Sequence, residues 1–338
     1  MGRTRKVSSK DVARLAGVSQ ATVSYVLNNT QGVKISDHTR QAVLAAAKKL
    51  NYIPDQCARG MRLKKAMSVA VVSDKDVSNT RFMSVLEGIK DVLADRNYSL
   101  TFCFSRWQDD HEAEHVQYFR ANRIDGAIFV WAAVSESHLA YLIENEIPFV
   151  VIHSSPGFDR PNLVRSHLDS AILAAVADLK SKGADTVAFL GRARRGVRSR
   201  KYAGYLNALS HLGVTTPPES PLSTLADDSE AQIESALNEY VRKNSGLPQA
   251  VLCETVSMGF RLLRYAARNG IRVPQDLSVV AIGSSRFAPL SVPALSTIEG
   301  PLYEMGAAGC KMLFDIIEGH APTTPVVLEW SYVPRESS

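Results

Sequence analysis

Paired cysteines and long apolar runs are both missing from this sequence of 338 residues. Its four cysteines, at positions 57, 103, 253 and 310, are scattered without paired spacing, which excludes a disulfide framework and a cysteine zinc cluster. No apolar run approaches the roughly 20 residues that a membrane-spanning helix needs. The basic N-terminus is not followed by an apolar stretch, so we expect no signal peptide, no membrane partner and a cytoplasmic location.

Most catalytic motifs are missing too: there is no glycine loop for phosphate, no nucleophile elbow and no Cys-x-x-Cys. The exception is His111–His115, HEAEH, which has the HExxH spacing of zinc metalloproteases, with Glu112 as general base. The segment is strongly polar, follows Asp109 and Asp110 and suggests no third ligand, which favours an exposed helix start. We therefore expect no metal, no cofactor and no enzymatic activity, with a zinc protease as the enzyme alternative.

Positive charge is concentrated near the N-terminus. Residues 1–65 hold 13 lysines and arginines against 3 acidic residues, whereas the remaining residues hold 26 against 31. A basic head on a mildly acidic body is typical of a nucleic-acid-binding protein, although a basic stretch by itself also fits a solvated surface. With 45% hydrophobic residues, the chain can form a small domain and one or two larger ones.

Residues 10–28, KDVARLAGVSQATVSYVLN, predict two short helices joined by a tight turn. Ser8 caps the first helix, Asp11 lies in its first turn, and Gly17 ends it because glycine adopts the left-handed conformation at low cost. Ser19 caps the second helix, whose start and outer face a helix-turn-helix presents to the major groove. Helical spacing predicts that the inward residues of the two helices are Val12, Leu15, Ala16, Val23, Val26 and Leu27.

This segment resembles the headpiece of the LacI/GalR family of bacterial transcription repressors. Residues 36–40, SDHTR, and the following AVLAAAKKLNYIPDQCARGMR resemble the third helix and the hinge helix of that family. Ser36 caps the third helix, and the inward residues that its spacing predicts are Val43, Leu44, Ala47 and Leu50. Weaker similarity extends over most of the chain, at Asn79–Gly88, Ala203–Tyr205, Arg272–Val280 and Tyr303–Gly306.

The resemblance implies a homodimer that binds operator DNA with an approximate inverted repeat. Gln20 would make the main polar base contact, because a carboxamide bonds bidentately to adenine, while Ala21 offers an apolar contact and Tyr25 stacks or donates one bond. The side chains expected at the DNA backbone are Ser19, Thr22, Ser24, Arg14, Arg40 and Arg62. No leucine heptad follows the final predicted strand, so we expect a dimer rather than a tetramer.

A hinge helix is expected between Pro54 and Leu63, which is too short to be stable alone in water. In the family this helix forms on operator DNA, and two copies pair in the minor groove. Met61 stands where the family usually has leucine, so it would be the apolar wedge between base steps, with Cys57 and Ala58 beside it. An ordinary linker role for Met61 is the alternative.

From residue 68 onward, apolar runs alternate with amphipathic segments, which favours parallel sheets covered by helices on both faces. A first series has strands at 68–73, 99–105, 126–131 and 149–153, with helices near 82–97, 110–122 and 136–146. A second has strands near 163–167, 186–191, 250–253 and 277–282, with helices near 170–182, 199–212, 228–243 and 257–269.

The predicted fold class is therefore α/β: an all-α helix-turn-helix headpiece, a hinge helix and two doubly wound parallel-sheet subdomains of periplasmic-binding-protein type. The expected domains are 1–52, 53–66 and 67–338, the last divided into an N-subdomain (about 67–164 and 298–323) and a C-subdomain (about 165–297 and 324–338). The resemblance places the last two crossings between lobes near Ser296–Gly300 and Pro322–Pro325.

The resemblance also implies a small-molecule effector in the cleft between the lobes, beyond the carboxyl ends of the strands. Positions where sugar-responsive members carry acidic or amide groups are occupied here by His153, His167 and Gly283, whereas Arg81 adds a donor. Loss of acceptors and gain of donors favours an anionic effector such as a sugar acid, a sugar phosphate or another carboxylate. The expected effector-site residues are Arg81, Phe82, Trp131, His153, His167, Arg200, Lys201, Glu254 and Ser284.

Two alternatives stay open at this point. A solute-binding protein without gene control would share the core but not the headpiece. In a regulator without a small-molecule effector, Trp131 would fill the cleft. Where an effector exists, it either releases the protein from DNA or is required for binding, through coupling between the cleft and the hinge helices.

Overall fold

The structure is a computed structural model that describes residues 7–27, 32–52, 65–76, 78–104, 112–132, 134–152, 160–194, 197–215 and 221–338. The chain forms two compact units, residues 1–67 and residues 68–338. We call the first unit the headpiece and the second unit the core. In the described part of the chain, no helix combines the length and the apolar character that crossing a bilayer requires.

The headpiece contains helices α1 (Ser9–Ala16), α2 (Gln20–Leu27) and α3 (Asp37–Lys49). The predicted signals define their ends. Both the hydroxyl and the N–H of Ser8 donate to the Asp11 carboxylate at the start of α1, and Gly17 ends this helix with a φ of 66°. Ser19 and Ser36 accept hydrogen bonds from backbone N–H groups in the first turns of α2 and α3.

Small side chains form most of the headpiece core, which differs in part from the prediction. The fully buried residues are Val12, Ala13, Val23, Val26, Val43, Ala46 and Ala47. Leu15 and Leu44 were predicted to face inward, but each is 45% exposed. The packed face of α1 carries Val12, Ala13 and Ala16, and that of α3 carries Val43, Ala46 and Ala47, so Leu15 and Leu44 lie outside the packed faces.

The first lobe of the core is a six-stranded parallel sheet with the order β12-β5-β4-β3-β1-β2. Helices α4 (Thr80–Asp95) and α11 (Leu302–Ile317) cover one face, and α5 (Glu114–Arg120) and α6 (Glu136–Glu144) cover the other. The strands are β1 (Ser68–Ser73), β2 (Ser99–Phe104), β3 (Ala127–Val130), β4 (Phe149–Ile152), β5 (Leu163–His167) and β12 (Val326–Glu329).

The second lobe is a five-stranded sheet with the order β13-β11-β10-β9-β6, in which only β13 is antiparallel to its neighbour. Its strands are β6 (Val187–Leu190), β9 (Ala250–Cys253), β10 (Ser278–Ile282), β11 (Ser296–Glu299) and β13 (Ser331–Val333). A two-residue hairpin, β7 (Ala193–Arg194) and β8 (Val197–Arg198), follows β6. The covering helices are α7 (Asp169–Ser181), α8 (Arg200–Leu212), α9 (Glu230–Asn244) and α10 (Val256–Arg268).

The chain passes between the lobes three times, at residue 168, at residues 300–301 and at residue 330. Two predictions are corrected here. The strand at 163–167 belongs to the first sheet and not to the second series, because β5 pairs with β4. The last crossing lies at residue 330 and not near Pro322–Pro325, because β12 runs parallel to β5 at the edge of the first sheet before the chain leaves.

Helices α4 and α11 touch backbone to backbone at Gly88 and Gly306. A Cβ atom added at Gly88 would lie 2.0 Å from the carbonyl oxygen of Tyr303, and one added at Gly306 would lie 2.0 Å from the carbonyl oxygen of Val85. Backbone atoms cannot give way as a flexible side chain can. The contact therefore requires glycine at both positions.

We predict that Gly88→Ala and Gly306→Ala each lower the free energy of unfolding of the core by about 1–3 kcal/mol or more, because the helices must separate. Urea denaturation of each variant would measure this loss. Gly246→Ala is the matched control, since no atom lies within 4 Å of its added Cβ. Equal stability of all three variants would contradict the close contact.

Candidate DNA-reading helix and interlobe cleft

Helix α2 presents one polar face outward. Val23 and Val26 are buried in the headpiece core, whereas Gln20 and Ala21 are exposed and the side chain of Tyr25 is 38% exposed. The residues predicted to read bases therefore share the accessible side of the second helix. This is the arrangement that a helix-turn-helix needs to place side chains against base edges.

Hydrogen bonds already order several polar side chains on this face. The Gln20 Nε2–H group donates to the Ser9 hydroxyl oxygen at 2.8 Å, which links the first residues of α2 and α1. The hydroxyl groups of Ser19 and Thr22 lie 2.9 Å apart, and Ser19 also accepts from the Thr22 N–H. The start of α2 is thus organised by hydrogen bonds within the headpiece.

The predicted phosphate contacts differ in their surroundings. Arg14 has a side chain that is 77% exposed and lies 3.4 Å from the Asp11 carboxylate, whereas Ser24 and Arg40 are half-buried. Arg14 is therefore accessible to a phosphate. The predicted hinge and backbone residues Cys57, Ala58, Met61 and Arg62 lie outside the described residues.

In the core, Arg81 occupies the cleft at the start of α4. Its guanidinium carbon lies 5.4 Å from the ring centroid of Trp131 and 5.9 Å from that of Trp330. Both distances are within the range of cation–π attraction. The Nε atom of Arg81 is buried and has no hydrogen-bond partner within the described residues, and burial lowers the pKa of the guanidinium.

Lys201 approaches Arg81 from the second lobe. Its Nζ donates to the backbone carbonyl of Glu254 at 2.6 Å. Burial is the main reason why the pKa of Lys201 falls to about 8; Arg81 and Arg192 lower it further, while the Glu254 carboxylate opposes the shift. That carboxylate accepts a bond from the Arg192 N–H at 2.9 Å. The Lys201 ammonium group thus experiences the charges of two guanidinium groups, Arg81 and Arg192, and of one carboxylate, Glu254.

Trp131 and Trp330, whose rings lie beside Arg81, are each held by a hydrogen bond to the first lobe. Trp131 follows β3 with a φ of 49°, and its N–H donates to the Ile152 carbonyl at 3.1 Å. Trp330 is the residue of the third crossing, and its indole N–H donates to the Ser166 hydroxyl at 2.9 Å. A Cβ added at Gly300, in the second crossing, would lie 3.0 Å from the Trp330 ring. Trp330 therefore packs where the crossings meet.

Sequence reasoning missed Trp330 and Arg192. Trp330 stands between Glu329 and Ser331 in a segment that was predicted to lie beyond the last crossing, so nothing assigned it to the cleft. Arg192 follows β6. Its position at the carboxyl end of a predicted strand was the one sequence signal that could have assigned it to the cleft.

The other predicted effector residues do not all reach the cleft. Phe82 was predicted to line the cleft, and this prediction is wrong. Its ring is fully buried against Phe102, with ring centroids 5.9 Å apart. Consecutive residues of a helix point in different directions, so Phe82 faces the sheet while Arg81 faces the cleft. The Ser284 hydroxyl donates to the Gly300 carbonyl and accepts from the Gly300 N–H, so it braces the second crossing.

Two histidines and one arginine complete the set of predicted effector residues. The Nδ1 atom of His167 lies 3.8 Å from a Glu329 carboxylate oxygen, at the ends of β5 and β12. Arg200 is half-buried as the first residue of α8. His153 lies outside the described residues.

The described part of the HExxH segment differs from the exposed helix start that the sequence predicts. His111 lies outside the described residues, and α5 begins at Glu114 rather than near residue 110. His115 was expected in an exposed helix start, but it is fully buried, and its Nε2 lies 2.9 Å from the Nε2 of His138. Burial, together with His138, lowers the pKa of His115 to about 3. Within the described residues, no three metal-ligating side chains are grouped to hold a metal ion.

Two protein families match this chain. Residues 9–55 match the bacterial regulatory proteins of the lacI family, and residues 176–338 match the periplasmic binding protein-like domain. The catabolite control protein A of Staphylococcus epidermidis is 29% identical over 324 residues, covering 95% of this chain and 96% of the relative. The HTH-type transcriptional regulator RegA of Clostridium saccharobutylicum is 27% identical over 340 residues, covering 98% and 99%.

Among solved structures, the lac repressor dimer bound to operator and the anti-inducer ONPF is similar, with a TM-score of 0.71 and 22% identity. The match covers 98% of this chain and 99% of that one. At this identity the likeness concerns the fold, and it extends over the headpiece and both lobes.

We predict a pH effect on stability from Lys201. Its pKa is about 8 in the folded chain against 10.5 ordinarily, so between these values the unfolded state binds more protons and the free energy of unfolding rises with pH. One pKa unit corresponds to about 1.4 kcal/mol, so Lys201→Met should remove roughly 2–3 kcal/mol of this rise. Urea denaturation at about pH 7 and about pH 10 measures it.

Lys243→Met is the control for this experiment, because Lys243 lies at the surface with its side chain 52% exposed. It should leave the rise in stability close to that of the unaltered chain. A Lys201→Met variant with an unchanged pH dependence would contradict the burial of that ammonium group.

Proposed function

Since this chain belongs to the lacI family of bacterial regulatory proteins, which are transcriptional regulators and not enzymes, we propose that it represses transcription as a homodimer under the control of an anionic effector. The outward face of α2 is the observation that carries the DNA-binding part of the proposal. The charge of the cleft carries the effector part.

In DNA reading, α2 lies in the major groove and Gln20, Ala21 and Tyr25 contact base edges. The carboxamide of Gln20 bonds to adenine, the Ala21 methyl contacts a thymine methyl, and Tyr25 stacks or donates one bond. Arg14, Arg40, Ser19, Thr22 and Ser24 contact phosphates, which supply affinity without sequence information. Two headpieces in a dimer read two half-sites of an approximate inverted repeat.

The proposed dimer face spans both lobes. A groove of about 940 Å³ lies between α4 and the 284–289 segment, with Met83 and Leu100 from the first lobe among its lining residues. Beside it, Leu290 is 74% exposed and Val292 is 90% exposed, so these two side chains supply apolar surface that a second copy would bury. Because both lobes contribute, a change in the angle between them alters how two copies pair.

The proposed effector is an anion. The charges of Arg81 and Arg192 both disfavour the charged form of Lys201, the Glu254 carboxylate is the opposing negative charge, and the buried Nε–H of Arg81 lacks an acceptor among the described residues. A carboxylate or phosphate oxygen would supply the acceptor and offset the mutual repulsion of the cations. Trp131 and Trp330 would form apolar walls beside the ligand body.

We predict that the full chain selects a pseudopalindromic sequence from random DNA, and that Gln20→Ala relaxes one base pair in each half-site. The cost at that base pair should be about 1–3 kcal/mol, because a bidentate contact is lost. The logarithm of affinity should fall with the logarithm of salt by roughly 0.9 per neutralised phosphate. Sequence-selective binding by a chain without residues 1–65 would overturn the assignment.

We also predict that an acidic ligand from a thermal-shift screen of metabolites binds more tightly than its neutral analogue. Arg81→Ala should weaken its binding by about 10- to 100-fold, as expected for loss of a hydrogen bond to a charged group. Affinity should fall as pH rises through about 8, because Lys201 then loses its proton. Isothermal calorimetry measures all three effects.

Arg96→Ala is the matched control for the ligand experiment. Arg96 also stacks on an aromatic ring, with its guanidinium carbon 4.5 Å from the Phe314 centroid, but it ion-pairs with Glu318 outside the cleft. Its loss should not affect ligand affinity. Tighter binding of the neutral analogue would indicate that the cleft is not an anion site.

A further inference from the structure

The first residues of the two helices of the helix-turn-helix are joined by one hydrogen bond. Ser9 begins α1 and Gln20 begins α2, and the Gln20 Nε2–H donates to the Ser9 hydroxyl oxygen at 2.8 Å. The turn at Gly17 and the packing of Val12 with Val23 in one core bring the two helix starts together. The bond therefore depends on the fold of the headpiece and not on proximity in the chain.

We propose that Ser9 is a positioning residue for base reading: it holds the Gln20 carboxamide in place for the adenine edge before DNA arrives. This inference rests on the proposed role of Gln20 in reading a base. Neither family resemblance nor sequence spacing assigns any role to Ser9.

The Gln20 carboxamide has enough hydrogen-bonding groups to contact Ser9 and an adenine at the same time. A glutamine amide has one carbonyl oxygen and two N–H donors. The bidentate contact with adenine uses the oxygen and the N–H on the same side, and it leaves the second N–H unused. The bond to Ser9 needs only this second N–H, so Ser9 supports the base contact instead of competing with it.

The neighbouring serine and threonine hydroxyl groups bond to other partners, whereas the Ser9 hydroxyl bonds to Gln20. Ser19 and Thr22 are hydrogen-bonded to each other, and Ser8 is bonded to Asp11. Gln20 is exposed, so without Ser9 its three side-chain torsions would be free in water. Fixing them in advance lowers the entropy that is lost on binding.

The consequence is sharper discrimination at one base pair. A held carboxamide faces a wrong base with unmatched donors and acceptors, or must break its bond to Ser9. A free carboxamide swings into solvent and tolerates the wrong base. Removing the Ser9 hydroxyl should therefore weaken binding to the correct site more than binding to a site substituted at that base pair.

The test uses the full chain and the DNA sequence that it selects from a random pool. Ser9→Ala should lower affinity for this sequence by about 2- to 10-fold, in line with the ordering of one long side chain. Affinity for the sequence substituted at the base pair that Gln20→Ala relaxes should change little. Ser9→Thr keeps a hydroxyl and should restore discrimination.

Two further variants separate positioning from a general effect on the headpiece. In the Gln20→Ala background, Ser9→Ala should have no additional effect, because the group it positions is gone. Ser8→Ala is the neighbouring control: it removes the bond to Asp11 and should weaken binding to both sequences equally. A loss from Ser9→Ala that is equal on both sequences, or that persists without Gln20, overturns the inference.

The outcomes also distinguish this inference from the proposed function. Failure of the unaltered chain to select any sequence contradicts the proposed function itself. If the unaltered chain selects a sequence, and discrimination is relaxed by Gln20→Ala but not by Ser9→Ala, that result contradicts only the role of Ser9.

Discussion

Helices α4 and α11 meet backbone to backbone at Gly88 and Gly306, where any Cβ would collide with a carbonyl oxygen. The two helices are more than 200 residues apart in the chain, so this contact attaches a late segment to the first lobe. It fixes where α11 begins, and through it the crossing at residues 300–301 that leads back from the second lobe. The same helix α4 carries Arg81 in its first turn, so the contact also sets the position of the cleft cation.

Burial stabilises the two sheets but destabilises the charged side chains of the cleft. The two sheets are buried by apolar side chains on both faces, which is a stabilising arrangement. Arg81 and Lys201 are desolvated next to each other, which costs stability and is seen in the lowered pKa of each. A bound anion would recover part of this cost, so ligand binding would also raise the stability of the folded chain.

Much of the fold could be predicted from periodicity and from capping residues. The predicted strands at 68–73 and 250–253 match the structure residue for residue, and those predicted helices that fall within the described residues lie within a few residues of the observed ones. Alternation does not, however, say which sheet a strand joins, and pairing between distant strands leaves no local signal. The strand at 163–167 was therefore assigned to the second series, and the segment that contains β12 was placed in the C-subdomain, although both belong to the first sheet. Leu15, Leu44 and Phe82 were misjudged because a helical face is wide, and only the neighbouring elements decide which residues on it are buried. The aromatic pair around Arg81 depends on a crossing at residue 330 that the sequence did not locate.

Because the chain crosses between the lobes three times, the headpiece and the two lobes are completed in a fixed order during translation. The three helices of the headpiece lie within residues 9–49, so that unit has its whole described core as soon as this segment leaves the ribosome. Neither lobe has its full sheet until much later, since β12 and β13 end at residues 329 and 333. A nascent polypeptide therefore carries the helix-turn-helix unit throughout most of its translation, while the two lobes are completed only near the end of synthesis.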